Sequence, residues 1–369
     1  MNLNKLKKIA KNILAVPFVR KFNNRFNSLL YRFLSVSKIF ALPYHFIISH
    51  FFDREIFAFT KAISKYNRNV YAVHPSNVII RRNIHRLEKG MIMENRRDVF
   101  ALDYIEETVE KYAEVLEKSN GVELETGEIQ WAYDVLSEYF RITDSSQPLI
   151  ARMKARFEEL PQPTLQDPKD KFVPYPSSQR SQYKIPSYEE FLSLSKRRRS
   201  VRWFQEKAVP REDVDKAMQA AALAPSACNR QPFQYRIFDD PQLAKEIAAI
   251  PFGTGGYSDN VPMTVVVVGD LSNYFSSRDR HTIYIDASLS VMAFMYALET
   301  MGLSSVAINW PDFGLLEKKM KKKLNLKTYE RPIILLAVGY AKDDGMIPCS
   351  KKKPLDELRS YNNLGEASN

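Results

Sequence analysis

The chain has 369 residues, 45% of them apolar and 26% charged, enough to bury one large core or two smaller ones. Its formal charge of +11 is unevenly spread: residues 1–100 carry 19 Lys and Arg against 5 Asp and Glu, so the basic character belongs to the N-terminal part. Two cysteines, Cys228 and Cys349, without CxxC spacing argue against a disulfide framework and a structural zinc site and favour a reducing compartment, so a cytoplasmic protein without a metal is expected.

Residues 1–70 alternate Lys and Arg with Leu, Ile and Phe at near-helical spacing, as in Leu3, Leu6, Ile9 and Ile13 against Lys5, Lys8 and Lys11. A basic amphipathic helix follows from this pattern, and three roles stay open for it. It docks on an anionic membrane surface, the protein then being peripheral to that membrane, or on a nucleic acid, or it packs in the fold with a solvated basic face. No cleavable signal peptide is read in residues 2–25, and the apolar stretch 39–52 is too short to span a bilayer core of roughly 30 Å.

The cluster 81–90 with 94–97 is densely charged and reads either as a helix with a wet face or as a group that binds an anion or caps a neighbouring site. Helices are expected over 100–117, where Leu102, Ile105, Val109, Tyr112 and Leu116 form a stripe, and over 128–142, after a turn at 119–121. Six prolines between 161 and 186 mark an extended linker. Three parts result: a mainly helical basic region 1–160, a linker 161–186 and a second domain 187–369. In the last, helices are expected at 188–197, 211–222, 242–249, 284–301 and 314–324, and strands at 234–238, 264–268, 304–308 and 333–338. The strands are apolar runs covered on both faces, which defines an α+β layered domain.

Two segments flanking the 211–222 helix carry the chemistry. Arg198-Arg199-Ser200-Val201-Arg202 gathers three guanidiniums and a hydroxyl, a forked donor set suited to a phosphate dianion. Ala224-Pro225-Ser226-Ala227-Cys228-Asn229-Arg230-Gln231-Pro232 combines turn formers with amides able to read the edge of a planar heterocycle. A phosphate grip and a reader of flat polar rings together suggest a mononucleotide cofactor. Gly253-Thr254-Gly255-Gly256 lacks the spacing and the preceding strand of a dinucleotide fingerprint, and no Ser-His-Asp, HExxH or Walker pattern occurs.

With these two segments, residues 187–361 resemble the nitroreductase family of flavoproteins. Asn260-Val261-Pro262 before the run 264–268, Asp286-Ala287-Ser288 opening a long helix that ends at Met301-Gly302-Leu303, the run 333–339 and Lys351-Lys352-Lys353-Pro354-Leu355-Asp356-Glu357 follow the family's order. The resemblance implies a nitroreductase-like fold with a central sheet flanked by helices, FMN as cofactor, NAD(P)H as a transient reductant, a small organic acceptor and a homodimer with flavin at the subunit interface. It assigns Arg198, Arg199, Ser200, Arg202, Lys351 and Lys353 to the phosphate side, and Pro225, Ser226, Asn229 and Gln231 to the ring. Ile308 and Asn309 stand where the family passes backbone amides near the flavin. Family members acting on iodinated tyrosine carry a longer lid than the short 270–284 loop, so that specialisation is not expected. Cys228 is expected to be a small buried residue. No nucleic-acid partner is expected. The runners-up are a membrane-peripheral or partner-binding protein that keeps the flavin domain as a scaffold, and a flavin-dependent dehydrogenase.

Overall fold

The structure is a computed structural model and describes residues 17–50, 52–69, 77–117, 126–163 and 171–364. The expected helix over residues 3–13 and the turn at 119–121 lie outside the described residues. Contacts divide the chain into two compact units, 1–60 and 61–369.

The first unit is helical: α1 (Pro17–Ser35), α2 (Lys38–Pro43), a π-turn (Tyr44–Ser49) and the start of α3 (Asp53–Asn69). Ser37 caps α2 by accepting from the Ile39 amide at 3.2 Å. Among its described residues only Leu34 and Ala58 are buried apolar groups.

In the second unit four helices build one core: α4 (Val78–Met91), α5 (Ile105–Glu117), α6 (Thr126–Ile142) and α7 (Pro148–Glu158). Asn77 starts α4 by accepting from the amides of Ile79 and Ile80, and Gln147 with Pro148 at the first helical position starts α7. Ile80, Ile84 and Leu87 of α4 pack with Val109 and Tyr112 of α5, Leu136 and Tyr139 of α6 and Ile150 and Phe157 of α7. Gly90 lets α4 approach, since a Cβ there would stand 2.5 Å from the Phe100 ring.

The second core is a sheet with helices on both sides. α8 (Tyr188–Arg197) opens with a Ser187 and Glu190 capping box, and α9 (Arg211–Ala222) follows. Then come β1 (Phe233–Phe238), α10 (Pro241–Ala248), β2 (Met263–Asp270), α11 (Thr282–Thr300), β3 (Ser304–Asn309), α12 (Gly314–Leu324), β4 (Glu330–Gly339) and a last turn α13 (Leu355–Leu358). The strands run β1-β2-β4-β3, all antiparallel, with a bulge at Val267/Val268. Val266, Val268, Val306 and Leu335 meet α10 and α12 on one face. On the other, Gly269 lies against Ile283 of α11, where a Cβ would come within 2.9 Å.

Central β2 is buried nearly throughout, whereas edge strand β3 exposes Ala307 and Asn309, so the expectation of strands covered on both faces holds at the centre and not at this edge. The expected extended linker contains a 3₁₀ turn at Ser177–Gln182, whose last turn is closed by the Tyr183 amide donating to the Arg180 carbonyl.

Candidate functional site

The basic segment leaves the C-terminal end of α8 and is stitched to the sheet by its main chain. Ser200 bridges to Ser305 at the start of β3, and the Val201 amide donates to the Ser305 carbonyl at 3.2 Å. Asn260 fixes the next turn, its Oδ1 accepting from the Phe204 amide at 2.8 Å and its Nδ2 donating to the Arg202 carbonyl at 3.0 Å. Val201 is buried in the core beside the sheet, and Arg198, Arg199, Ser200 and Arg202 are half-buried around it. The Arg198 guanidinium makes no hydrogen bond among the described residues, and the Arg202 guanidinium makes a long one to the Ser200 carbonyl, 3.4 Å, and lies 5.8 Å from the ring of Tyr257, whose side chain it also hydrogen-bonds.

Arg199 Nη2 donates to the carbonyls of Pro348 and Cys349, which brings the residues before Lys351 to the basic segment. Lys351 is exposed, and Lys353 is exposed and paired with Glu357 at 3.3 Å. Glu299 is buried at the end of α11 and faces Arg197 at 3.4 Å. Burial pushes its carboxyl above the usual glutamate value, against the pull of Arg197 and Arg198.

The second segment, after α9, is strained. Cys228, Asn229 and Gln231 have φ of 53°, 50° and 47°, three left-handed residues in four positions and none of them glycine. Each such residue costs roughly 1–2 kcal/mol, so the loop needs outside support. The Gln231 amide donates to Ser226 Oγ at 3.1 Å, and the Ala227 amide donates to Asp286 Oδ2, on α11, at 3.0 Å. From α4, Arg81 Nε donates to the Asn229 carbonyl at 2.9 Å and Nη2 to Gln231 Oε1 at 3.2 Å. Its third nitrogen, Nη1, pairs at 2.9 Å with Glu128 of α6, whose side chain is 2% exposed and also accepts from the Asn77 amide.

Gln231 Nε2 donates to the Ala222 carbonyl at 2.8 Å, so both ends of that side-chain amide are engaged by protein. The Asn229 amide group makes no side-chain hydrogen bond among the described residues. Cys228 is half-buried rather than buried, a correction that follows from its left-handed backbone at the loop's apex. Asp286 is buried beneath the loop. Burial raises its carboxyl above the ordinary aspartate value, opposed by the bonds from Ala227 and Tyr274 and the charge of Arg230. A cavity of about 300 Å³ behind the loop is lined by Asn77, Arg81, Arg230, Gln231, Asp270 and Ser272.

The two segments stand at opposite ends of α11. Asp286 holds the loop near the helix start, and Glu299 faces the basic segment near its end. Thirteen residues at 1.5 Å each put about 20 Å between them. Ile308 is buried on β3 and Asn309 exposed, on the strand edge opposite β4. Sequence reasoning singled out Arg81 only within a charge cluster and passed over Glu128. A buried partner 47 positions away leaves no local signature.

A four-stranded antiparallel sheet between helices, with a basic segment against β3 and an amide-bearing loop after α9, defines an α+β layered domain. The profile of the Nitroreductase family matches residues 195–255 and 252–340. A protein of Archaeoglobus fulgidus named for NADH dehydrogenase and NAD(P)H nitroreductase activity is 30% identical over 162 residues, 42% of this chain and 88% of that protein. Iodotyrosine deiodinase 1 of Pongo abelii is 24% identical over 197 residues, 46% of this chain and 67% of its own length. Among solved structures, a nitroreductase family protein from Streptococcus pneumoniae is 24% identical with a TM-score of 0.40, over 46% of this chain and 99% of that one. The chain belongs to the nitroreductase family, whose members are flavin-dependent oxidoreductases. No family match covers the N-terminal extension.

Proposed function

We propose that the protein is an FMN-dependent oxidoreductase that takes reducing equivalents from a nicotinamide donor and passes them to a small organic acceptor. The observation that carries this reading is the strained loop 227–231. Three left-handed residues are held by Ser226, Asp286 and Arg81, with the Asn229 amide left over, which is how a site presents preorganised polar groups to a ring. The bound flavin supplies two-electron chemistry. The protein's part is to orient the ring with Pro225, Ser226 and Asn229, and to hold the phosphate with Arg198, Arg199, Ser200, Arg202 and Lys351. Gln231 and Lys353 act at one remove, the first by shaping the loop and the second by its pair with Glu357. The main chain of Ile308 and Asn309 lines the approach along the strand edge.

The two segments lie about 20 Å apart along α11, which favours a site shared between subunits. The basic segment of one protomer and the loop of its partner complete one flavin site in a homodimer. Exposed apolar residues support a subunit contact between the two segments, with Ile285 and Leu289 on α11, Tyr188 and Phe191 on α8, and Leu223 after α9. The chain after Gly345 adds Met346, Leu355, Leu358 and Tyr361, all exposed.

An absorbance spectrum of the purified protein, followed by anaerobic addition of NADH and then NADPH, tests the reading. Flavin bands that bleach with either donor support it, and nitroaromatic, quinone and halotyrosine acceptors then compete for reoxidation. Bound flavin that neither donor reduces favours the dehydrogenase reading. A colourless protein that does not take up FMN overturns the proposal.

A further inference from the structure

The first unit carries a surface unrelated to the flavin site. On α1, Phe22, Phe26, Leu29 and Phe33 recur at i, i+4, i+7 and i+11, a single helical stripe, and each is more than half exposed, from 54% to 66%. The stripe continues through Val36, Ile39 and Leu42 to Ile47 and Ile48, also more than half exposed. So contiguous an exposed apolar run exceeds what a solvated surface carries and calls for a partner.

Charge decides which partner. Residues 1–52 contain nine Lys and Arg and not one Asp or Glu, and Arg25, Arg32 and Lys38 are exposed beside the stripe. A second copy of the same surface would bring like charges together. Nucleic acid offers no apolar layer to receive nine aromatic and aliphatic side chains. An anionic bilayer offers both, acyl chains for the stripe and headgroups for the cations. Among the described residues no helix is long and apolar enough to cross a membrane, which fits a segment lying in the interface.

We infer that residues 17–50 form an interfacial anchor that binds the protein to an anionic lipid surface. Phe22, Phe26, Leu29 and Phe33 enter the acyl boundary while Arg25, Arg32 and Lys38 meet the headgroups. The inference stands apart from the flavin chemistry and survives if that reading fails.

Full-length protein is sedimented with vesicles of phosphatidylcholine alone, or with about one third phosphatidylserine, at about 0.1 M and about 0.5 M salt. Binding is expected to the anionic vesicles, weakened at least about tenfold by the higher salt, because each cation contributes to attraction that salt screens. Phe26→Asp with Leu29→Asp should reduce it at least about tenfold at either salt. Both sites are exposed, so far-UV circular dichroism and bound flavin should not change. Equal binding to both vesicle types, no binding to either, or full binding by the double variant overturns the inference. So does a wild-type oligomer that the variant converts to a smaller species without any vesicle binding, which assigns the stripe to a second copy.

Discussion

Arg81→Ala removes a side chain whose hydrogen bonds join the N-terminal helices to the 227–231 loop, and its consequences separate into two measurable parts. The first is global. Glu128, 2% exposed, loses its guanidinium partner and keeps a buried charge. Breaking a buried pair costs about 3–5 kcal/mol, and because the Arg81 side chain is 17% exposed and reaches water at one end, the lower figure of about 3 kcal/mol is expected. The second is local. Two charge-assisted hydrogen bonds to the loop, at 2.9 and 3.2 Å, are lost. Each is worth about 1.5–3 kcal/mol where made, and part of that now has to come from flavin binding. At about 1.4 kcal/mol per tenfold, FMN affinity should fall ten- to a hundredfold. Urea unfolding followed by far-UV circular dichroism reads the first part, and quenching of FMN fluorescence on binding reads the second. Arg81→Lys keeps the charge but cannot serve three acceptors in one plane, so it should restore stability more than affinity. Glu128→Gln added to Arg81→Ala should recover part of the stability by removing the buried charge and leave FMN affinity low. If Arg81→Ala unfolds more easily yet binds FMN within twofold of the wild type, the arginine is only a packing element and the clamp is refuted.

If each flavin site is built from two chains, Arg202→Ala and Asn229→Ala should each lose FMN alone. Unfolding and refolding them together should restore about a quarter of the sites, since half the dimers are mixed and each mixed dimer has one intact site; no recovery would return the site to one chain. Glu299→Gln removes a carboxyl that burial raises above 4.5. The folded wild type holds that proton more tightly than the unfolded chain, so its stability falls as pH rises from 4.5 through the raised value and then levels off. The variant should gain on the wild type across that window and keep the gain at neutral pH, and urea midpoints that diverge in the opposite direction would contradict the assignment. Gly339→Ala would place a Cβ 2.6 Å from Pro262 Cγ and 2.9 Å from the Phe204 ring. A loss of about 1–3 kcal/mol by calorimetry is expected, and a neutral result would mean that this corner yields.

Elements with their own punctuation were legible in the sequence. Helices 188–197, 211–222 and 314–324 coincide with observed α8, α9 and α12, because Ser187 with Glu190, Pro210 and left-handed Asn325 mark their ends. Strands were read short. The expected 333–338 extends to Glu330–Gly339, since Arg331 and Pro332 are held by pairing with Gly269 and Val268 and not by apolar pattern. Helix α7 was missed, although Ile150, Met153 and Phe157 give it a buried stripe behind Pro148. The motif segments were visible as residue types, but what separates Asn229 from Gln231 was not. One amide is free and the other is spent on Arg81 and Ala222, and that difference depends on a helix 150 positions upstream.

The loop's composition explains why such a clamp exists at all. Glycine would let positions 228, 229 and 231 adopt positive φ without strain, but a glycine-rich loop would also be free to leave that conformation. Here Cys228, Asn229 and Gln231 adopt it at a combined cost of roughly 3–6 kcal/mol. Side-chain bonds from Ser226, Asp286 and Arg81 offset that cost only when all are made together. The donors offered to a ring are thus fixed before any ligand arrives, and the entropy of ordering them is not charged to binding. The clamp comes from α4 and α6, in the extension that no family match covers, so this chain's extension is tied physically to the loop proposed to read the ring. A shorter relative lacking those helices has to stabilise the same loop by other means. Grafting this loop without Arg81 and Glu128 should transfer the sequence but not its conformation.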